Sequence, residues 1–115
     1  MSKEITDANF SIEIEKSGSS AIIDFWADWC SPCKIMSPII DELSNEYDGK
    51  IIIGKINVDE NPVLSTKFKI RSIPTLLFLN SKGEVSEIVV GAKTKSELSK
   101  KIEDFIENKK YSKKI

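Results

Sequence analysis

The sequence predicts a single α/β domain in which a mixed central sheet, parallel strands extended by a C-terminal antiparallel hairpin, is flanked by helices on both faces. Two runs, 21–27 (AIIDFWA) and 51–58 (IIIGKINV), are almost continuously apolar, as strands covered on both faces should be. A helical pattern lies between them and completes a β-α-β unit. Two later strand-like runs are separated by only five residues, too few for a crossover, so they should pair as a hairpin.

Taken in order, the opening segment carries two signals. Phe10, Ile12 and Ile14 alternate as in a strand, whereas Asp7 and Asn9 are residues that begin helices; we read a helix. After the first apolar run, Met36, Ile40, Leu43 and Tyr47 recur at steps of four, three and four, and Gly49 follows where a C-terminal cap would fall. Pro38 lies inside this helix, removes one backbone hydrogen bond and should bend it. Asn61-Pro62 pairs an N-capping residue with a proline at the first helical position, which opens a short helix ending near Phe68. Residues 75–79 and 85–90 form the hairpin around Asn80-Ser81-Lys82-Gly83. Thr94-Lys95-Ser96-Glu97 has the form of a capping box, and Leu98, Ile102, Phe105 and Ile106 continue at helical steps. The domain should span 1–108, with 109–115 a short basic tail in which Lys109, Lys110, Lys113 and Lys114 form a frayed, solvated end.

A chain of 115 residues fits one domain, and its 40% hydrophobic and 30% charged residues are those of an ordinary globular protein. Seventeen basic and 18 acidic residues leave a net charge of −1, so no global field favours nucleic acid or an anionic membrane. The first ten residues lack the apolar core of a signal peptide, and no run approaches the roughly 18 apolar residues of a membrane span. The expectation is a cytoplasmic monomer with neither a nucleic-acid nor a membrane partner.

The two cysteines occur as Cys30-Ser31-Pro32-Cys33. In a reducing compartment this spacing suggests redox chemistry or half of a metal site. Structural zinc usually takes four Cys or His ligands, and the chain has two Cys and no His, so no bound metal is expected. The pair falls just after a predicted strand, at the start of a predicted helix. Free N–H groups and the positive end of the helix dipole there stabilise an anion and make Cys30 the attacking thiolate. Two intervening residues let Cys33 reach the same sulfur and resolve a mixed disulfide. Asp24 interrupts the run Ile22-Ile23-Asp24-Phe25-Trp26, where an ionised carboxylate is costly, so burial should raise its pKa. Trp26 beside it should be a core aromatic.

The stretch Asp24-Phe25-Trp26-Ala27-Asp28-Trp29-Cys30-Ser31-Pro32-Cys33-Lys34 resembles the active-site signature of the thioredoxin family almost position for position. The likeness runs from about Ile5 to Glu107 and takes in Pro38, Lys55 in Lys-Ile-Asn-Val-Asp, Ile73-Pro74-Thr75 and Val90-Gly91-Ala92, in the family's order and separations. It implies the thioredoxin fold and a protein-disulfide reductase with no bound cofactor. A flavoprotein thioredoxin reductase, drawing on NADPH, would recycle it, and disulfide-containing proteins would be its targets. Pro74 matches the cis-proline of the family, physically permissible because X-Pro is where a cis peptide is cheap. Trp29, Ile73, Gly91 and Ala92 match its apolar docking surface beside Ser31 and Pro32 of the active-site loop. Asp24 matches a buried proton relay near the resolving cysteine, and Lys55 its charged neighbour; the alternative is a structural Asp24–Lys55 ion pair with no part in catalysis.

Two departures stand out. Ser31 replaces the glycine of the commonest family motif, while Pro32 is kept and the histidine of oxidising relatives is absent, which favours a reductant. Ser72 also stands where glycine is common. Two rival functions remain at this stage: a disulfide-forming or isomerising enzyme, distinguished by its reduction potential, and a clamp subunit with incidental thiols, distinguished by retention of function without the cysteines.

Overall fold

The long apolar runs form the middle of a five-stranded sheet because both of their faces are covered. The computed structural model describes residues 2–112, with side chains through Glu107. In chain order it comprises β1 (Lys3–Glu4), one helical turn (Ser11–Glu15), β2 (Ala21–Trp26), α1 (Ser31–Glu46), β3 (Ile52–Asn57), α2 (Pro62–Lys67), β4 (Thr75–Leu79), β5 (Val85–Val90) and α3 (Lys95–Ser112). The strand order is β1-β3-β2-β4-β5, with β1, β3 and β2 parallel and β4 and β5 antiparallel additions. This is the mixed sheet expected.

Alternation along β2 divides the core in two. Ile22 turns toward α1 and α3, where it packs with Met36, Ile40, Leu43, Leu98 and Ile102. Ile23 and Phe25 turn the other way, against Phe10, Ile14 and Leu64 of the N-terminal turn and α2. The helices therefore lie on both faces. The stripe Met36, Ile40, Leu43, Tyr47 is buried as its spacing predicts, and Gly49 follows α1 with φ of +83°.

The opening segment divides between strand and helix. Lys3–Glu4 adds a parallel edge strand to β3, which the sequence reading did not foresee. Its approach depends on Gly54, where a Cβ would stand 2.8 Å from Ile5 Cγ1 and 3.0 Å from the Lys3 carbonyl oxygen. The following turn is helical, as read, but wide: the Lys16 N–H donates to the Ser11 carbonyl, five residues back. Phe10 and Ile14, four apart, are buried, while Ile12 between them is exposed.

Asn61 does precede α2, but it is not the side-chain cap. Its Oδ1 accepts from the Asp7 N–H at 2.8 Å and its Nδ2 donates to the Asn57 carbonyl at 3.0 Å. Asp7 supplies the cap instead, its carboxylate accepting from the N–H groups of Val63 (3.1 Å) and Leu64 (2.9 Å). A residue from the N-terminal segment thus ties down the helix that precedes the Pro74 loop. The capping box of α3 forms as read: the Glu97 N–H donates to Thr94 Oγ1 at 3.1 Å and the Thr94 N–H to Glu97 Oε1 at 3.0 Å. The backbone of α3 crosses the 108/109 boundary to Ser112. Lys113 and Lys114 of the expected tail lie outside the described residues.

Removing the Asp7 carboxylate strands two helix N–H donors at once. Asp7→Ala should therefore lose about 1–2 kcal/mol in urea denaturation, the range of a strong cap. Asp7→Asn, which keeps one acceptor oxygen, should lose less.

Candidate active site

The site gathers at the C-terminal end of β2. The chain leaves the sheet at Trp26, turns through Ala27, Asp28 and Trp29, and enters α1 with Cys30 as its N-cap. Cys30 has extended backbone (φ −94°, ψ 103°), and its sulfur accepts the Cys33 N–H at 3.2 Å. This is the usual capping geometry with sulfur in place of a side-chain oxygen. A negative charge on that sulfur would meet the N–H and the positive end of a 16-residue helix. Pro32, in the first turn of α1, sits where a missing N–H has no helical partner to lose.

Cys30 and Cys33 are joined as a disulfide, with their Cα atoms 5.3 Å apart. Their burial differs little, at 5% and 1% exposed, and both pack with Ala27 against Trp26, Val58 and Ile73. The Ile73–Pro74 peptide is cis, and the Pro74 carbonyl accepts the Gly91 N–H at 2.9 Å. That bond extends the β4–β5 pairing past Thr75↔Val90 and brings Ile73-Pro74 and Gly91 together.

Around the pair, Trp29 is 69% exposed, and Ser31, Pro32 and Ala92 are exposed as well. The Trp29 indole N–H donates to Asp59 Oδ2 at 2.9 Å. Trp29, Val58, Ile70, Arg71, Ser72 and Ile73 line a groove of about 330 Å³ beside the cysteines. Sequence reading had singled out Trp29 and Ile73 but not Val58, Asp59 or Arg71. The signal for Val58 and Asp59 was their place at the end of the apolar run 51–58 and directly after it, where the C-terminal ends of parallel strands carry function.

Asp24 is 1% exposed, and neither carboxylate oxygen has a hydrogen-bond partner. Burial raises its pKa to about 7, against the opposing pull of Lys55 and with a further push from Asp41. Lys55 is the register partner of Asp24 across β2 and β3, yet the structural ion pair considered above does not form. The Lys55 ammonium instead lies 3.3 Å from Asp41 Oδ1 and donates to Ser37 Oγ, both on α1. The reason is geometric: the long lysine side chain reaches past its strand neighbour to the partly exposed helix surface.

A family model for thioredoxin matches residues 1–104 of the chain. The chain belongs to the thioredoxin family. It is 47% identical over 103 residues to a thioredoxin of Chlorobaculum thiosulfatiphilum, covering 90% of this chain and 94% of that one. A thioredoxin of Buchnera aphidicola is 48% identical over the same shares. Spinach chloroplast thioredoxin M-type is 43% identical over 104 residues, 90% of this chain and 57% of that protein. With the Cys30–Cys33 disulfide in place, the chain is a thioredoxin-type thiol–disulfide oxidoreductase that works through this redox pair, and the family uses no bound cofactor. Among the described residues no group of three or more Cys, His, Asp or Glu could hold a metal ion. None of the described helices is long and apolar enough to cross a membrane.

The elevated Asp24 pKa makes stability depend on pH. Between about 3.9, where an unfolded aspartate ionises, and about 7, the folded protein holds a proton that the unfolded chain has released. Stability should fall as pH rises through this window and level off above it. Asp24→Asn has no such dependence. Relative to wild type it should gain on the order of 4 kcal/mol between pH 4 and pH 8, at 1.36 kcal/mol per pKa unit. Denaturation of both oxidised proteins across that range is the measurement, and a difference independent of pH would refute the assignment.

Proposed function

We propose that the chain is a dithiol reductant of protein disulfides, with Cys30 attacking and Cys33 resolving. The observation that supports this order most directly is the Cys33 N–H donated to Cys30 Sγ at the N-cap of α1, a stabilisation that Cys33 does not share. In the reduced protein the Cys30 thiolate attacks one sulfur of a target disulfide, forming a mixed disulfide and releasing the other target sulfur as a thiolate. Cys33 then gives its proton to the Asp24 carboxylate, and its sulfur attacks Cys30. The Cys30–Cys33 bond forms, the second target thiolate leaves, and two electrons have passed from the dithiol to the target. A carboxyl group with a pKa of about 7 is well matched to accept and return that proton near neutral pH.

Trp29, Ile73, Gly91 and Ala92 form the docking surface in this reading, with Ser31 and Pro32 at its edge. An extended target segment lies against the 73–74 backbone in the manner of strand addition. Lys55 acts on Asp24 as a neighbouring charge. A flavoprotein thioredoxin reductase using NADPH returns the electrons, and the reducing cytoplasm is where a dithiol donor of this kind operates. The working unit is a monomer whose domain spans 1–108, followed by the basic segment 109–115.

Cys33→Ser should accumulate as mixed disulfides with target proteins, because attack survives and resolution does not. Cys30→Ser should trap at least tenfold less on non-reducing gels, and equal trapping would reverse the roles. Both should lose insulin reduction in an assay coupled to NADPH and thioredoxin reductase.

Ser31 is exposed at the first position of α1. Ser31→Gly should therefore shift the reduction potential by less than about 30 mV, equivalent to roughly 1.4 kcal/mol for two electrons. A larger shift in a redox titration would make Ser31 a tuning residue.

A further inference from the structure

Cys33, Ser37 and Asp41 recur at steps of four along α1 and share one stripe beside the apolar stripe of Met36, Ile40 and Leu43. Asp24 sits beneath this helix. It alternates with Ile22 and Trp26 on β2, and Ile22, its neighbours Ile53 and Phe78, and Leu76 opposite Asp24 all pack on the α1 side of the sheet. Lys55 alternates with Ile53 and emerges on the same side. Its ammonium is held by Ser37 Oγ and Asp41 Oδ1, while Asp41 is itself held by Ser2, whose N–H (3.1 Å) and hydroxyl (2.7 Å) both donate to Oδ1. Partial burial raises the Asp41 pKa, but the two Ser2 hydrogen bonds and Lys55 more than offset this, so Asp41 is a stable anion.

We propose that Ser37 and Asp41 are positioning residues for the disulfide exchange: they draw the Lys55 ammonium toward α1 and leave the buried Asp24 carboxyl without a direct cationic partner, free to trade a proton with Cys33. This rests on the reading of Asp24 as the proton acceptor given above. A direct Lys55–Asp24 contact would hold Asp24 ionised throughout the working pH range and remove its ability to return the proton. The charged groups that act on Asp24 are Lys55 and Asp41. From β4 it is faced by Leu76, and α3 covers the same side of the sheet with Leu98 and Ile102. The two charges oppose each other at Asp24, and their mutual attraction decides how far the cation stands from it.

The test reads Asp24 directly, through the carboxyl carbon signals of the oxidised protein followed against pH. Asp41→Asn should move the Asp24 midpoint about half a pH unit or more lower, since an anion is removed and Lys55 is released. Ser37→Ala should move it in the same direction by less, and Ser37→Thr, which keeps the hydroxyl, should restore it. Lys55→Met should move it higher. In the Lys55→Met background the effect of Asp41→Asn should fall to half or less, because the part that acts through the cation is gone. Unmoved midpoints in Asp41→Asn and Ser37→Ala would overturn the proposal, and so would an Asp41→Asn shift undiminished without Lys55. The pH profile of insulin reduction should follow the midpoints. If Asp24→Asn reduced insulin as fast as wild type while the midpoints still moved, the role of Asp24 would fail and the functional claim with it. The placement of Lys55 would stand, so the two failures are distinguishable.

Discussion

Asp24 lies in the middle strand of the sheet with both carboxylate oxygens unpartnered, and an ionised carboxylate in that position is among the most costly groups a core can hold. Its neighbours relieve this only in part. β2 is paired on both edges, to β3 and β4, so its backbone hydrogen bonds are satisfied and the strand cannot rotate Asp24 outward without losing two ladders. Ile23 and Phe25 pin the opposite face. The carboxyl is held inside by the same pattern that makes β2 the centre of the fold. What remains adjustable is the proton, and that is the group the exchange chemistry needs.

The second constraint is the junction of β2 with α1. A strand buried on both faces ends at Trp26, and four residues later its chain must cap a helix. Using cysteine as the cap puts a sulfur where serine or aspartate would be more stabilising. The fold offsets the weaker cap through packing: Met36, Ile40 and Leu43 anchor the helix to the sheet below the site. The helix can therefore present a reactive first turn without depending on that turn for stability. Asp7 does the corresponding work for α2, and leaves the Asn61 side chain to bind the N-terminal segment and the end of β3.

Most of the scaffold was legible in the sequence because burial imposes periodicity. The continuous apolar runs identified β2 and β3, the three-and-four spacing identified α1 and α3, and a five-residue connection made β4 and β5 a hairpin. The first 16 residues were less legible. A two-residue strand has no period to detect, and β1 exists because Gly54, distant in sequence, leaves room for it. Asn61 stands at the N-cap of α2 as read, but its side chain does not make the capping bond, for a similar reason. A local pattern cannot show that a carboxylate 55 residues before Pro62 competes for the same N–H groups. At the site, the cysteines and the buried aspartate were visible as breaks in local rules, a thiol at a cap and a charge in an apolar run, whereas the cis state of Ile73–Pro74 was legible only through the resemblance to the family.

Lys55 was visible too, but not its partner, and the difference is instructive. Register places Lys55 beside Asp24, and two opposite charges on neighbouring strands suggest a pair. Pairing deep in the core, however, would require the ammonium to give up its hydration for one contact, whereas at the surface of α1 it meets a hydroxyl and a carboxylate while remaining 16% exposed. Solvation thus prevails over proximity. The spacing of Cys33, Ser37 and Asp41 contained that information, since side chains four apart on a helix share a face. It could not be used until the sheet beneath the helix showed which face that was. The proton affinity of Asp24 is accordingly a property of three elements, β2, β3 and α1, and not of the strand that carries it.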